Sequence, residues 1–308
     1  MASTTTVLVV GESLVDVVIG PDGSVLDTRP GGAPLNIAVG LARLEIPTQL
    51  LTTFGDDVYG GLVEQHALDS DVRLVPGSRS ADPTSVARAS LDETQAASYE
   101  FDLRWAPPAL DLPTGLAGLH VGSIGTAQPP GDATVLRLAE QAIAAGVPVT
   151  YDPNVRPAIS PDPAQAWEGV RRWAGLADVV KLSEDDAAYL QPDADTDAML
   201  DTLLAEDRTR LAVVTRGRDG TRLAGRRHRV DVPAPPVTVV DTVGAGDSFM
   251  SGLIAALLDR DLLGARLAEV TEADLRGVGG FAAAVAAVTC SRRGADPPRR
   301  AEVIAATP

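Results

Sequence analysis

Apolar and polar positions along the chain follow two rhythms. TTVLVVG is a short β-rich run that ends in glycine and predicts a buried strand. DVVIGPDGSVLDTR alternates on either side of Pro-Asp-Gly, the pattern of a hairpin. PLNIAVGLARLEI begins with Pro34, suited to a first helical position, and carries apolar residues at helical spacing. SVARASLDETQAASYEFD predicts a second hairpin, turning near Asp-Glu-Thr. From about residue 117 the pattern becomes regular. Strands in LAGLHVGS, VPVTYD, DVVKL and LAVVTRG are separated by helices in DATVLRLAEQAIAAG, closed by Gly146, in PAQAWEGVRRWAGLA and in SEDDAAYL. This alternation predicts an α/β fold of three layers, Rossmann-like, with a mostly parallel sheet flanked by helices. The two hairpins break the alternation. They predict a small separate β-sheet formed by about residues 13–30 and 84–106, a flap over the sheet edge. No repeat or interdomain linker interrupts residues 1–308, which read as a single domain.

Composition narrows the possible partners. Hydrophobic residues make up 45% and charged residues 22% of the 308, enough for a sizeable core. A formal net charge of −16 argues against nucleic acid or an anionic membrane as a partner. Cys290 is the only cysteine, so no intrachain disulfide forms and a cytoplasmic setting is expected. The N-terminal stretch has no basic segment ahead of its apolar run and reads as lacking a signal peptide. No apolar run is read as approaching the roughly 20 residues that span a bilayer. His66, His120 and His228 are scattered, and neither HExxH nor CxxC occurs, which argues against zinc.

The stretch DTVGAGDSF, residues 241–249, has small residues at 244, 245 and 246 followed by Asp247, then the apolar run MSGLIAALL. A helix from about Ala245 to Asp259 is predicted. Its N-terminus exposes unpaired N–H groups, and glycine at 244 and 246 removes side chains that block a ligand. A carboxylate in that same turn repels a resting phosphate. It suits accepting a proton from a hydroxyl that attacks a phosphoryl group, with the amides stabilising the transferred charge. A tight turn with a dipole-complementing aspartate fits the same residues.

DTVGAGDSFMSGLIAAL resembles the C-terminal signature of the ribokinase-like (PfkB) carbohydrate kinases, and GGAPLNIAVGLARL, residues 31–44, resembles their N-terminal signature. The resemblance covers essentially the whole chain, the β flap included, which this family uses as a lid over the sugar. It implies transfer of the γ-phosphoryl of ATP to a sugar hydroxymethyl group with Mg²⁺, often activated by K⁺. It implies Asp247 as catalytic base and the amides of Gly244, Ala245 and Gly246 as anion hole. Asp16, placed at the end of the first strand, resembles the carboxylate that binds sugar hydroxyls, and Gly31, Gly32 and Asn36 the sugar-contacting loop and helix start. Asp241 and the backbone near Val243, with Arg292 and Gly294 in SRRGADPP, resemble the monovalent-cation loop. Within KLSEDDAAYL the family pattern Asn-x-x-Glu reads Lys181-x-x-Glu184, departing at its first position; Glu184 is implied as Mg²⁺-linked and Lys181 as facing phosphate. Ser183 and Asp186 equally form a helix cap. Thr215 and Gly217 in VVTRGRDG are implied to meet ATP, and FAAAVAAVTC to be a packed helix by the adenine.

Substrate choice rests on fewer residues. GGAP lacks the lysine of GGKG, which favours an unphosphorylated sugar. DPNVRP, with Arg156, resembles segments of bacterial fructokinases and of 2-keto-3-deoxygluconate kinases, and KLSE leans to fructokinase. In SYEFDLRWAPP, Tyr99 and Phe101 share one face and are expected to cover the sugar, with Arg104 and Trp105 at the lid edge and Arg104 available to an acidic sugar. A catalytically silent sugar-binding regulator on the same fold is the rival from another class. A Rossmann dehydrogenase is disfavoured by the lack of GxGxxG after the first strand, and GxxxxGK is absent too. The flap also offers an edge for homodimer pairing.

Overall fold

A computed structural model describes residues 6–92 and 97–306. In β1 (Thr6–Val10), alternation sends Val7 and Val9 into one core and Leu8 and Val10 into another, so the strand is buried on both faces. The hairpin β2 (Leu14–Ile19) and β3 (Val25–Gly31) follows, then α1 (Ala33–Arg43) with Pro34 in its first turn. Short elements come next: β4 (Thr48–Leu51), β5 (Phe54–Gly55), α2 (Val58–Leu68), β6 (Arg73–Leu74) and β7 (Arg79–Ser80). The second hairpin is β8 (Val86–Leu91) and β9 (Ala97–Asp102).

Beyond it the chain alternates: β10 (Leu116–Gly122), α3 (Gly131–Ala144), β11 (Val149–Asp152), α4 (Pro163–Ala174), β12 (Val179–Ser183), α5 (Glu184–Leu190), α6 (Thr196–Leu204) and β13 (Leu211–Thr215). An antiparallel pair, β14 (Thr221–Gly225) and β15 (Arg229–Val232), precedes α7 (Ala245–Asp259), α8 (Glu272–Cys290) and α9 (Arg300–Ala306).

The nine-stranded sheet has the order β15-β14-β13-β12-β11-β10-β1-β4-β6 and is parallel from β13 to β6. β1 lies between β4 on one side and β10 on the other, so chain order reverses there. In open α/β sheets such a reversal leaves a crevice at the carboxyl ends of the strands. The second sheet, β3-β2-β8-β9, joins the two hairpins through parallel pairing of β2 with β8, with Val15 opposite Val86 and Val17 opposite Arg88.

Two sequence expectations change. Asp16 lies within β2 of the small sheet, opposite Arg29, and not at the end of the first strand, which stops at Val10. α8 has 19 residues and a mean hydropathy of 1.3, long and apolar enough to cross a membrane. Its Leu275, Val278, Ala282 and Val285 are buried in the same core as Leu253 and Ile254 of α7, which accounts for that apolar character by packing.

Glycines in these two helices separate propensity from packing. A Cβ on Gly252 of α7 meets Ala282 Cα at 2.9 Å, whereas a Cβ on Gly280 of α8 meets nothing within 4 Å. Gly280→Ala is expected to stabilise by up to about 1 kcal/mol. Gly252→Ala is expected to destabilise by about 1–2 kcal/mol, because overpacking outweighs helix propensity. Urea midpoints of the two variants check this; equal shifts of the same sign contradict it.

Candidate active site

A cleft of about 640 Å³ opens at the carboxyl ends of β1, β10 and β11, beneath the small sheet. Glu12, Asp16, Asn36, Arg156, Gly244 and Asp247 line it. Phe101 lines it as well and packs with Leu14, Ala87 and Ile124 on the small-sheet side. The backbone of Tyr99 pairs with Ala89, but its side chain lies outside the described residues.

The turn before α7 brings the acid to this cleft. Gly244 is the N-cap in a left-handed conformation, φ 74°, and a Cβ there meets Ala295 Cβ at 2.6 Å. Glycine is thus required by both backbone and space. α7 starts at Ala245 with no side-chain cap on its first amides. Asp247 Oδ2 accepts a hydrogen bond from Asn36 Nδ2 at 2.8 Å, while Asn36 Oδ1 is buried without a partner in the protein. Burial pushes the Asp247 carboxyl above its ordinary value, opposed by Asn36, Lys181 and Arg156.

The sugar-contacting glycines of the sequence reading lie beside Asp16. A Cβ on Gly31 meets Asp16 Oδ2 at 2.2 Å, and Gly32, at φ 105°, meets the Glu12 carbonyl at 2.9 Å. Asp16 is open to the cleft yet crowded by protein, which pushes its carboxyl up to about 6; Arg156 opposes this and Asp247 adds to it. Arg156 is exposed and bonds only weakly to its own loop, to the Val155 carbonyl at 3.2 Å and the Asn154 carbonyl at 3.4 Å. Its charge favours the ionised forms of Glu12, Asp16 and Asp247.

The segments that the resemblance assigns to ATP and Mg²⁺ lie outside the cleft lining. Glu184 opens α5 and is exposed, behind the capping box formed by Ser183 and Asp186. Asp186 also accepts from the Val155 amide at 2.8 Å, tying α5 to the loop that carries Arg156. Thr215 ends β13, and Gly217, at φ 52°, begins the turn into β14. Lys181, implied to face phosphate, lies in the interior of the sheet. It is 3% exposed and its Nζ donates to Asp152 Oδ2 at 2.8 Å. Strand alternation puts Lys181 on the α7 side of the sheet with Val179, where a buried ammonium needs a carboxylate.

Asp241 joins the two segments of the expected cation loop. Its Oδ1 accepts from the Val243 amide at 3.1 Å and its Oδ2 from the Gly294 amide at 2.8 Å. These bonds hold its carboxyl below the ordinary range. The Arg292 side chain pairs with Asp296 and Glu302, so only its backbone is available to a cation. Among the described residues no three His, Cys, Asp or Glu gather into a metal cluster. Glu184 lies outside the cleft lining, and a single carboxylate is compatible with an Mg²⁺ that arrives on phosphates.

Two residues at the lid edge lie elsewhere than expected. Trp105 is buried and its Nε1 donates to the Gly125 carbonyl at 3.0 Å, under the start of α3. Arg104 pairs with Asp102 and does not line the cleft. Sequence reasoning missed Glu12. It is 2% exposed, accepts from the Gly125 amide at 2.8 Å, and sits just past the carboxyl end of β1. That position, at the ligand-binding end of a parallel strand, was the available signal. Asp152, at the same end of β11, was passed over in the same way.

Burial pushes the Glu12 carboxyl up to about 7, against hydrogen bonds from Ser123 and Gly125 and the charge of Arg156. A carboxyl raised on folding contributes stability that is complete below its unfolded value and lost as pH rises through the folded one. Wild-type stability is therefore expected to fall relative to Glu12→Gln between about pH 4.5 and 8, by up to about 3 kcal/mol. Denaturant unfolding of both proteins across that range checks this, and a constant difference contradicts it.

The family model for "pfkB family carbohydrate kinase" matches residues 4–301. A fructokinase of Klebsiella pneumoniae is 35% identical over 257 residues, 81% of this chain and 83% of that protein. The crystal structure of fructokinase with bound ATP from Xylella fastidiosa superposes with a TM-score of 0.83 at 27% identity, covering 98% of both chains. A fructokinase double mutant from Vibrio cholerae O395, in its fructose-, ADP- and potassium-bound form, superposes with a TM-score of 0.82 at 28% identity, again over 98% of both. With the acid, its glycine turn and the two-sheet cleft in place, the chain belongs to the pfkB family of carbohydrate kinases.

Proposed function

We propose that this protein transfers the γ-phosphoryl group of ATP to the hydroxymethyl group of fructose. The observation that carries this reading is Asp247 in the cleft, held by Asn36 at the uncapped start of α7. Asp247 takes the hydroxyl proton, which its raised affinity for protons favours. The amides of Gly244, Ala245 and Gly246 stabilise the charge on the moving phosphoryl group. Asp16 and the free Oδ1 of Asn36 accept sugar hydroxyls beside Gly31 and Gly32, and Arg156 neutralises the acids around them. The small sheet, with Phe101, serves as a lid that excludes water from the sugar. Glu184 would hold the Mg²⁺ that comes with ATP, which would supply neutralisation of phosphate charge, while Thr215 and Gly217 would border the nucleotide.

Fructose is supported by relatives named fructokinase. Segments 241–243 and 291–298 would hold K⁺ in this reading, which the Asp241 bridge and the potassium-bound Vibrio relative support. Exposed Val25 and Leu26 on the edge strand β3 support pairing with a second copy through the small sheet.

Turnover with ATP on fructose, ribose, adenosine and 2-keto-3-deoxygluconate tests the substrate. Fructose is expected to give the highest kcat/KM, and flat activity on it overturns the reading. Asp247→Asn is expected to lower kcat by ~10²-fold or more with sugar binding nearly intact; unchanged turnover contradicts the base. Exchanging Na⁺ for K⁺ is expected to raise activity in the wild type and not in Asp241→Ala, and an equal response in both removes the cation from this loop.

A further inference from the structure

Lys181, the only lysine of the chain, lies with its Nζ 3.2 Å from the place a Cβ would take on Gly246, against the first turn of α7. A helix N-terminus carries partial positive charge and repels an ammonium there. The opposing attraction comes from Asp152, whose Oδ2 holds Nζ at 2.8 Å and whose Oδ1 accepts from the Asn154 amide at 3.2 Å. Both side chains of the pair are almost fully buried. A buried ion pair is weak evidence of stabilisation, so this placement calls for another explanation.

We propose that Lys181, fixed by Asp152, is a positioning residue that holds Asp247 ready to accept a proton and strengthens the anion-stabilising field of the 244–246 amides. This rests on the reading of Asp247 as the base. Glycine at 246 leaves room for the ammonium, which acts from behind the turn and not from within the cleft. Groups facing Asp247 are Asn36 of α1, Arg156 of the loop after β11, Asp16 of β2 and Lys181 of β12. Lys181 itself faces Asp152 of β11, Asp186 of α5 and His120 of β10. Three carboxylates, Asp152, Asp186 and Asp247, favour the charged ammonium, and burial, reinforced by that charge, favours the neutral form of His120. The Lys181 charge lowers the proton affinity of Asp247, while the Asp247 charge raises that of Asp152, a like-charge repulsion between the two carboxylates.

The test titrates the ¹³Cγ resonance of Asp247 in ligand-free wild type, Lys181→Met, Asp152→Asn and the double variant, with thermal melts to establish folding. Lys181→Met is expected to raise the Asp247 midpoint by about one pH unit or more, and Asp152→Asn to lower it. The double variant is expected to fall between. The acid limb of kcat/KM moves with the midpoint, and kcat of Lys181→Met falls at least ~10-fold. Should Lys181→Met fail to fold, the isosteric Asp152→Asn carries the test alone. Folded variants with an unmoved Asp247 midpoint overturn the proposal. If Asp247→Asn is inactive in the same assays, only this inference falls; if it keeps full turnover, the base reading falls and the role of Lys181 with it.

Discussion

The site depends on the attraction between a cluster of carboxylates and the few positive groups placed among them. Glu12, Asp16, Asp152 and Asp247 gather at the carboxyl ends of the strands and under the small sheet, where desolvation raises the proton affinity of each. In a chain of net charge −16 the local compensation is narrow: Arg156 on the cleft side, Lys181 behind the α7 turn, and backbone amides. Without these partners the proton affinity of Asp16 and Asp247 rises further.

The fold supplies this arrangement through its reversal of strand order at β1. That reversal leaves β1, β10 and β11 ending at one crevice, and α7 begins beside it. Small residues then let charged groups approach the backbone. Gly31 makes room for Asp16, Gly246 for Lys181, and Gly244 lets the turn pack on Ala295. Asp186 and Asp152 carry the coupling further, since each holds one amide of the 153–157 loop that presents Arg156.

Much of this was legible where the chemistry is local. The start of α7 at Ala245, its end at Asp259, and the need for glycine at 244 all follow from turn and helix physics over a few residues. Both hairpins were legible from alternation around turn residues. Long-range pairings were not. DVVKL shows that Lys181 shares a face with Val179, but its partner Asp152 lies on another strand, 29 residues away. Glu12 and Trp105 are fixed by Gly125, which no pattern near either residue announces. Two-residue strands such as β5 and β7 carry too few positions to show a period. Asp16 lies in the hairpin that DVVIGPDGSVLDTR indicates, and not at the end of the first strand, where the sequence reading also put it.

The central claim is that an amide cradle at the start of α7 receives the moving phosphoryl group while Asp247 takes the proton. A crystal structure with fructose, ADP and aluminium fluoride tests it most directly. The account predicts the fluoride group within hydrogen-bond reach of the Gly244–Gly246 amides and a carboxylate oxygen of Asp247 about 3 Å from the fructose hydroxymethyl oxygen. A fluoride group bound away from that turn, or Asp247 directed away from the sugar, contradicts it.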